Sequence, residues 1–363
     1  MKDKLETARK EINRIDREMA ELFVQRMRAS ELVAEHKAIH GLEILDPQRE
    51  EEVIRRNSSL IEDDRLRAYY VNFLKNTMAV SRSYQSELTK GMRVAFSGTE
   101  GAFAHIATKK LFPTATYFPF PDFESAYRAV ERGECDVAVL PVENSYNGEV
   151  GQVTDLMMSG SLYVNNMTEL AVTQDLLAIK GASMSDIKQV VSHTQALGQC
   201  QEFISRNGFE ALEYSNTARA AKMVAEKGDK SLAAIASAEA AELFGLQVLQ
   251  RNINSSRSNT TRFAVFSRSE NTHRSREMGV HSVLVFTVRN EAGALAKAID
   301  IIGKHGFNMR TLRSRPMKEL LWQYYFYIEA EGNLSTDEGM KMMAELRGVC
   351  DRLKAVGTYV KKD

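Results

Sequence analysis

A chain of 363 residues is long enough for two or three domains, each able to bury its own core. Its 48 Lys and Arg balance its 48 Asp and Glu, so no global field favours nucleic acid or an anionic membrane. The cysteines Cys135, Cys200 and Cys350 are far apart, odd in number and without a CxxC pair. That fits a reducing cytoplasm and argues against a disulfide framework or structural zinc. The charged opening of the chain precedes no apolar signal region, and no apolar run is long enough to span a bilayer. A soluble cytoplasmic protein is expected.

The apolar positions Leu5, Ala8, Ile12, Ile15, Met19 and Leu22, then Ala29 and Val33, step by three and four. They predict one amphipathic helix from about Leu5 to Lys37. The seam is broken at Arg26, where a charge is costly unless an anion meets it; a snorkelling or Glu-paired arginine is the plainer reading. Lys37 returns to within roughly 20° of Arg26, roughly 16 Å along the axis. Two long cations so placed can close on a small dianion from both ends. Arg9 sits roughly 100° away from Arg26 and about 42 Å from Lys37, so if it acts it serves a site on another chain. The helix spans roughly 50 Å and needs a partner helix, most simply in a dimer.

After Gly41, Asp46–Pro47 opens a second helix, with Asp as N-cap, Pro at the first helical position, and Arg49 and Glu50 in the first turn. A third helix is expected from about Arg65 to Leu88, stacking Ser81 and Gln85 at i, i+4. His36 and His40 share that spacing, which suits a two-histidine metal site. No third ligand is obvious, and a solvated pair is expected.

This pattern resembles the all-helical, AroQ-type chorismate mutase domain, here residues 1–88. The resemblance implies the pericyclic rearrangement of chorismate to prephenate, in which the protein can only position the substrate and stabilise charge. It assigns Arg9, from the partner subunit, and Arg26 to the substrate's carboxylates. Lys37 and Gln85 go to the ether oxygen, and Glu50, with the Asp46 region, to the ring hydroxyl. Arg49 and Ser81 complete the set.

Beyond the linker Thr89–Lys90–Gly91 the periodicity changes. Val94–Ala–Phe96 reads as a strand, followed by Ser97–Gly–Thr–Glu–Gly101 and a helix through Leu111. Small residues leading into a helix suit an anion or an ordinary βα turn about equally. Phe123 to Gly133 reads as helix, and Asp136 to Leu140 as a buried strand. It ends in Pro141–Val–Glu–Asn–Ser145, polar residues where open α/β sheets bind ligands. Strands at Gln189–Ser192, Leu212–Ser215, Ala233–Ala236 and Val248–Ile253 alternate with helices starting near Thr194, Thr217 and Ser237. A polar run then leads through Asn259–Thr–Thr–Arg–Phe263 into an alternating strand to Ser267. Thr261 and Arg262 at its entrance suit a carboxylated small molecule, or are simply solvated.

Residues 92–268 resemble prephenate dehydratase. The marks are Ser97–Gly–Thr–Glu–Gly101, Pro141–Val–Glu–Asn–Ser145, Ser192–His–Thr–Gln195 with Gln199–Cys200, Asn216–Thr–Ala218 and Thr261–Arg–Phe263; Thr194 stands where Pro is common. The resemblance implies a two-lobed α/β fold of the periplasmic-binding-protein kind, with its ligand between the lobes. The implied reaction removes carboxylate and hydroxide from prephenate to give phenylpyruvate. Its barrier lies in expelling hydroxide, which needs a proton, and in stripping water from the departing carboxylate. Thr261 is expected to hydrogen-bond the leaving hydroxyl, and Glu143 is the candidate acid if burial raises its pKa. Asn144, Ser192 and Gln199 are positioning groups, and Arg262 neutralises substrate charge. No metal or organic cofactor is expected.

Arg268 to Glu277 reads as a linker. Over residues 279–363 the expected order is strand Ser282–Val288, helix from Asn290–Leu295 to near Gly306, strand Met309–Arg313, strand Leu321–Ile328, helix Asp337–Val349 and strand Val356–Val360. This α+β, βαββαβ order is that of an ACT domain. Its phenylalanine-binding elements, Gly-Ala-Leu and Glu-Ser-Arg-Pro, are matched by Gly293, Ala294 and Leu295 and by Arg313, Ser314, Arg315 and Pro316. The first charge of the second element is reversed, and weakened phenylalanine feedback is expected from that. The whole resembles the bifunctional bacterial chorismate mutase–prephenate dehydratase family. The resemblance implies a homodimer or higher homo-oligomer acting on chorismate and prephenate, with phenylalanine as effector. Two alternatives stay open: arogenate as the dehydratase substrate, or a non-catalytic ligand-sensing cleft coupled to the ACT module. A sensor needs no group aimed at a leaving hydroxyl, so Thr261 separates it from an enzyme.

Overall fold

The computed structural model describes residues 2–255, 258–270, 279–317 and 323–361. It has two compact units: Met1–Arg93 with Thr114–Thr116, and Val94–Pro113 with Tyr117–Asp363. No described helix is long and apolar enough to cross a membrane.

The first unit is built on three helices. α1 (Lys2–Ile39) is unbroken over 38 residues. α2 (Pro47–Ser58) begins as its sequence implies, the Asp46 carboxylate accepting from the Arg49 amide. α3 (Asp64–Lys90) starts on the Asp63 carboxylate. Only the later part of α1 is covered by α3: Ser30 and Ala34 are buried there, as are Leu74, Met78 and Ser81. Leu5, Ile12, Ile15, Met19 and Leu22 are 41% to 61% exposed, a bare apolar seam.

Among the described residues, the second unit holds three sheets. The first runs β2 (Thr116–Phe120), β1 (Arg93–Ser97), β3 (Val137–Asn144), β11 (Thr260–Ser267), β5 (Tyr163–Ala171), with the short β4 (Gly148–Glu149) paired to β3. The second runs β10 (Gln247–Gln250), β6 (Asp175–Ala178), β9 (Leu232–Ala236), β7 (Gln189–Ser192), β8 (Glu210–Glu213). Helices α4 (Phe103–Leu111), α5 (Phe123–Glu131) and α6 (Gly151–Ser159) join the first sheet. α7 (Thr194–Gln199), α8 (Gln201–Asn207), α9 (Thr217–Lys227) and α10 (Ala238–Phe244) join the second. The chain leaves the first lobe after β5 and returns after β10, and β11 then inserts between β3 and β5, antiparallel to both. Two crossings, 172–174 and one described at 251–255 and 258–259, therefore connect two α/β lobes.

Two departures from the expected elements have physical reasons. β3 continues through Asn144 instead of stopping at Leu140. Pro141 cannot donate to a ladder, but Pro141 pairs with Phe263 and Glu143 with Arg262, leaving Val142 as the extra residue of a bulge that absorbs it. Strand β5 carries Asn165, Asn166 and Glu169, residue types depleted in strands, and so does not stand out in the sequence.

The C-terminal elements are β12 (Val280–Thr287), α11 (Ala294–Lys304), β13 (Asn308–Pro316), β14 (Tyr324–Glu331), α12 (Asp337–Arg347) and β15 (Arg352–Val360). They give the expected βαββαβ order, in an antiparallel sheet β13-β14-β12-β15. Residues 321–322 of the third expected strand, and 271–277 of the expected linker, lie outside the described residues. One sheet face packs on α11 and α12 through Leu284, Phe286, Ile302, Ile328 and Met342. The other shares a core with the first lobe, where Val283, Val285, Tyr327 and Val356 meet Tyr127, Met157, Val164 and Phe266.

Gly357 makes that contact possible. It holds φ at +146°, and a Cβ there would fall 2.3 Å from the Val164 carbonyl oxygen. Gly357→Ala is expected to destabilise the second unit by at least about 1–3 kcal/mol, the usual cost of overpacking. Urea unfolding of the full chain measures this, and an unchanged midpoint would show that β15 is not pressed against β5.

Candidate active sites

In the helical unit, Arg26 of α1 donates to the Ser81 hydroxyl of α3 and, at 3.4 Å, to the Thr77 carbonyl. Partial burial lowers its pKa from the ordinary arginine value, and no described carboxylate pairs with it. Lys37 Nζ donates to the Ile44 carbonyl at 2.5 Å, in the loop before Asp46. Glu50 is held by Arg82 of α3, a residue the sequence reading missed. Gln85 is 8% exposed, and its Oε1 has no hydrogen-bond partner. Arg49 turns aside to Glu52 at 2.7 Å. Arg9 lies on the bare part of α1, without a partner among the described residues. The His36 and His40 ring centroids lie 4.1 Å apart with the planes tilted by 31°, and no described group of three or more His, Cys, Asp or Glu side chains could hold a metal ion.

Between the two lobes of the second unit lies a cavity of about 530 Å³, with Asn144, Gln199 and Thr261 in its wall. A chain of forced orientations leads to Thr261. Asn144 Oδ1 accepts from the Tyr146 and Asn147 amides at 3.0 and 2.9 Å. Its amide nitrogen must then point the other way, and it donates to Thr261 Oγ1 at 2.9 Å and Asn259 Oδ1 at 2.8 Å. With that bond received, the Thr261 O–H is left to donate elsewhere.

Glu143 and Arg262 do not face the cavity, contrary to expectation. Side chains alternate across a strand. Pairing Asn144 with Thr261 on the cleft face puts Glu143 beside Arg262 on the opposite face. There Arg262 grips Glu329 of β14 with two bonds, at 2.9 and 3.0 Å, and reaches Tyr359 Oη at 3.0 Å. Glu143 pairs with Arg262 at 3.4 Å and with Arg313. The proposed acid and the proposed substrate clamp thus tie β3 and β11 to the C-terminal sheet. Ser192 is also outside the cavity wall. It is fully buried and donates to the Ile235 carbonyl at 2.5 Å, joining β7 to β9.

In the Ser97–Gly101 loop the Gly98 N–H donates to Phe120 O at 2.8 Å, and just beyond it the Ala102 N–H donates to Thr99 O at 3.1 Å. Gly101 N–H donates to His105 Nδ1 at 3.1 Å. Of the C-terminal elements, Gly293 caps α11 at φ +83°, Ala294 is buried, and Leu295 packs against the module's core. Ser314 and Pro316 are exposed. Arg313 and Arg315 point the opposite way, into the first lobe. Arg313 meets Glu143 and, at 3.7 Å, Glu149; Arg315 meets Glu149 and, at 2.9 Å, Asp155. The reversed charge at position 313 is therefore matched by carboxylates. His193, from the Ser192–Gln195 mark, also lines the cleft, as do Glu149 and Gln174; these last two went unnoticed in the sequence, where they are isolated polar residues without a spacing pattern.

Residues 8–86 match the chorismate mutase type II family, and residues 94–271 match the prephenate dehydratase family. Over 366 residues the chain is 30% identical to a bifunctional chorismate mutase/prephenate dehydratase of Aquifex aeolicus (strain VF5), covering 99% of this chain and 98% of the relative. A solved structure described as GqqA, a novel type of quorum quenching acylase, matches with TM-score 0.69 and 31% identity, over 74% of this chain and 98% of its own. Prephenate dehydratase from Arthrobacter aurescens in complex with L-Phe matches with TM-score 0.68 and 27% identity, over 74% and 90%. A helical unit with an unneutralised arginine, joined to a two-lobed α/β cleft, is the layout of a fused two-activity enzyme. The chain belongs to the bifunctional chorismate mutase/prephenate dehydratase family. It is an isomerase and a lyase of phenylalanine biosynthesis, rearranging chorismate to prephenate and converting prephenate to phenylpyruvate.

The buried Arg262–Glu329 pair should be acid-sensitive. Burial alone would raise the Glu329 pKa, but Arg262 and Tyr359 outweigh it and hold the carboxylate below its ordinary value. A folded-state pKa below the unfolded one stabilises above the ordinary carboxylate range and is lost as pH falls through the lowered value. Glu329→Gln should destabilise the second unit at neutral pH by up to about 3–5 kcal/mol, the range for breaking a buried pair. It should also flatten the loss of stability between about pH 5 and pH 3. Unfolding free energies measured across that range check both.

Proposed function

We propose that the helical unit carries the mutase reaction and the inter-lobe cleft the dehydratase reaction. In the mutase, Arg26 and Arg9 of a second subunit bind the two carboxylates of chorismate, and Lys37 and Gln85 donate to the ether oxygen. Glu50, held by Arg82 and placed near Asp46, accepts from the ring hydroxyl, with Ser81 orienting Arg26. The support is an arginine with no described carboxylate opposite it, a buried amide whose oxygen has no partner, and Arg9 beside an exposed apolar seam that a second α1 would cover. The active form is then a homodimer at least. Lys37→Ala should lower the mutase rate about 10²–10³-fold, as removal of an oxyanion donor does, while added prephenate is still turned over. Mixing Arg9→Ala with Lys37→Ala chains should restore part of the mutase activity, because one site of each mixed dimer keeps both residues. Verified heterodimers without recovery would confine Arg9 to its own chain or to no role.

The dehydratase reading rests on the Asn144–Thr261 bond. It leaves the Thr261 hydroxyl a donor at the cavity wall, placed for the hydroxyl that prephenate expels. A threonine hydroxyl is a poor acid, so it orients and stabilises that group as charge gathers on it. Gln199 helps hold the substrate. Thr261→Val should lower prephenate turnover about 10²–10³-fold, by analogy with a lost oxyanion donor. Fed chorismate, the variant should accumulate prephenate; normal turnover would leave the cleft a ligand sensor. Running the same assay with arogenate decides between the two dehydratase substrates.

The C-terminal module is read as an ACT domain binding phenylalanine through Gly293, Ala294, Leu295 and the Ser314–Pro316 element, in line with the L-Phe held by the Arthrobacter relative. Feedback then has a short route to the chemistry. Arg313 and Arg315 hold Glu143, next to Asn144 in β3, and Glu149, which lines the cleft. Such a route replaces the weakened feedback expected from the reversed charge: Arg313 is paired with Glu143 and Glu149, and Arg313→Glu would set a third carboxylate against these two. Phenylalanine inhibition of that variant should weaken by about 5–150-fold, the span of a typical coupling. Inhibition as tight as in the unaltered enzyme would remove Arg313 from the route.

A further inference from the structure

The dehydratase cleft has an unusual wall for a dianionic substrate. No described lysine or arginine lines it, and its one carboxylate, Glu149, is bonded to Arg315. Prephenate carries two carboxylates and a ketone, so neutral donors must meet its oxygens. Thr261 is committed to the leaving hydroxyl. The remaining uncommitted groups in the wall are few, and one of them is far more buried than a solvated side chain.

Gln174 lies on the first crossing between the lobes and is 2% exposed. Its backbone is fully used: its N–H donates to Asn254 Oδ1 at 3.1 Å, and its C=O accepts from Ile253 N–H at 2.8 Å. These bonds fasten the first crossing to the second. The side chain does the opposite. Its Oε1 is buried without a partner, its amide makes no hydrogen bond among the described residues, and it forms part of the cleft wall. Buried amides are almost always bonded, because leaving one unmade costs stability. Nothing in the protein sets which end of this amide faces the cavity, so a ligand is free to set it.

We infer that Gln174 is a substrate-binding residue of the dehydratase, donating its side-chain N–H to a carboxylate or ketone oxygen of prephenate. The inference rests on the cleft being the dehydratase site. Its place on the crossing means that the substrate bond is made at the hinge, where the two lobes are already fastened together. The amide supplies a donor without a counter-charge and adds no cation to the site.

The test uses the full-length enzyme with Gln174→Leu, Gln174→Glu and Thr261→Val in parallel. Gln174→Leu keeps most of the side chain's bulk and removes both polar ends. It should raise the KM for prephenate at least tenfold and change kcat less, with mutase activity unaltered. Because it removes a buried amide that has no partner, its unliganded unfolding midpoint should equal or exceed that of the unaltered enzyme. Gln174→Glu places a negative charge against a dianion and should raise KM further. If Gln174→Leu has a KM within twofold of the unaltered enzyme while Thr261→Val is inactive, the inference is overturned and the cleft stands. A midpoint that falls together with activity also overturns it, marking Gln174 as a fold residue. If Thr261→Val turns over normally too, the cleft reading itself fails.

Discussion

The antiparallel pairing of β3 with β11 is the constraint on which the second unit depends. Its register places Asn144 opposite Thr261 and Glu143 opposite Arg262. Strand alternation then sorts four adjacent polar residues into two sets with different tasks. One set faces the cleft and directs a hydroxyl. The other faces the C-terminal sheet and forms ion pairs. A slip of one residue would exchange them, presenting a carboxylate and a guanidinium to the substrate and leaving Glu329 buried without its partner. The bulge at Val142 keeps this register despite the proline beside it.

Charge is distributed by the same logic. The arginines near the cleft, Arg262, Arg313 and Arg315, are spent on carboxylates behind it. The cleft wall is left with hydroxyls, amides, His193 and the paired Glu149. On the reading of the cleft as the dehydratase site, such a wall binds a dianion less strongly than arginines would, but it sets no counter-charge against the carboxylate that must leave. Stabilising the ground-state carboxylate strongly would deepen the well from which decarboxylation starts. In the helical unit the reaction loses no group, and there the cations, Arg26 and Lys37, stand near the candidate site itself.

Much of this was legible in the sequence. The helical period and the Asp46–Pro47 cap announced α1 and α2, and the βαββαβ order of the last segment followed from alternation and glycine placement. Asn144, Gln199 and Thr261 of the cleft wall were legible as well, but the directions of their neighbours were not. Glu143 and Arg262 sit one position from Asn144 and Thr261, and only the pairing partner of β3 decides which of each pair faces the cleft. That partner lies more than a hundred residues away and beyond a bulge, out of reach of local pattern. Gln174 was missed for a related reason: a single polar residue between two strands has no period, and its importance lies in burial without a bond.

The late return of β11 also has a consequence for how the chain is made. Synthesis runs from the N-terminus, so β3 and β5 emerge long before the strand that belongs between them. Until residue 267 leaves the ribosome, two ladder edges of the first lobe lack their partner. Unpaired edges recruit neighbouring chains unless something blunts them. The asparagines and glutamate of β5, so unhelpful for recognising it as a strand, suit an edge that must wait in water while the whole second lobe is built.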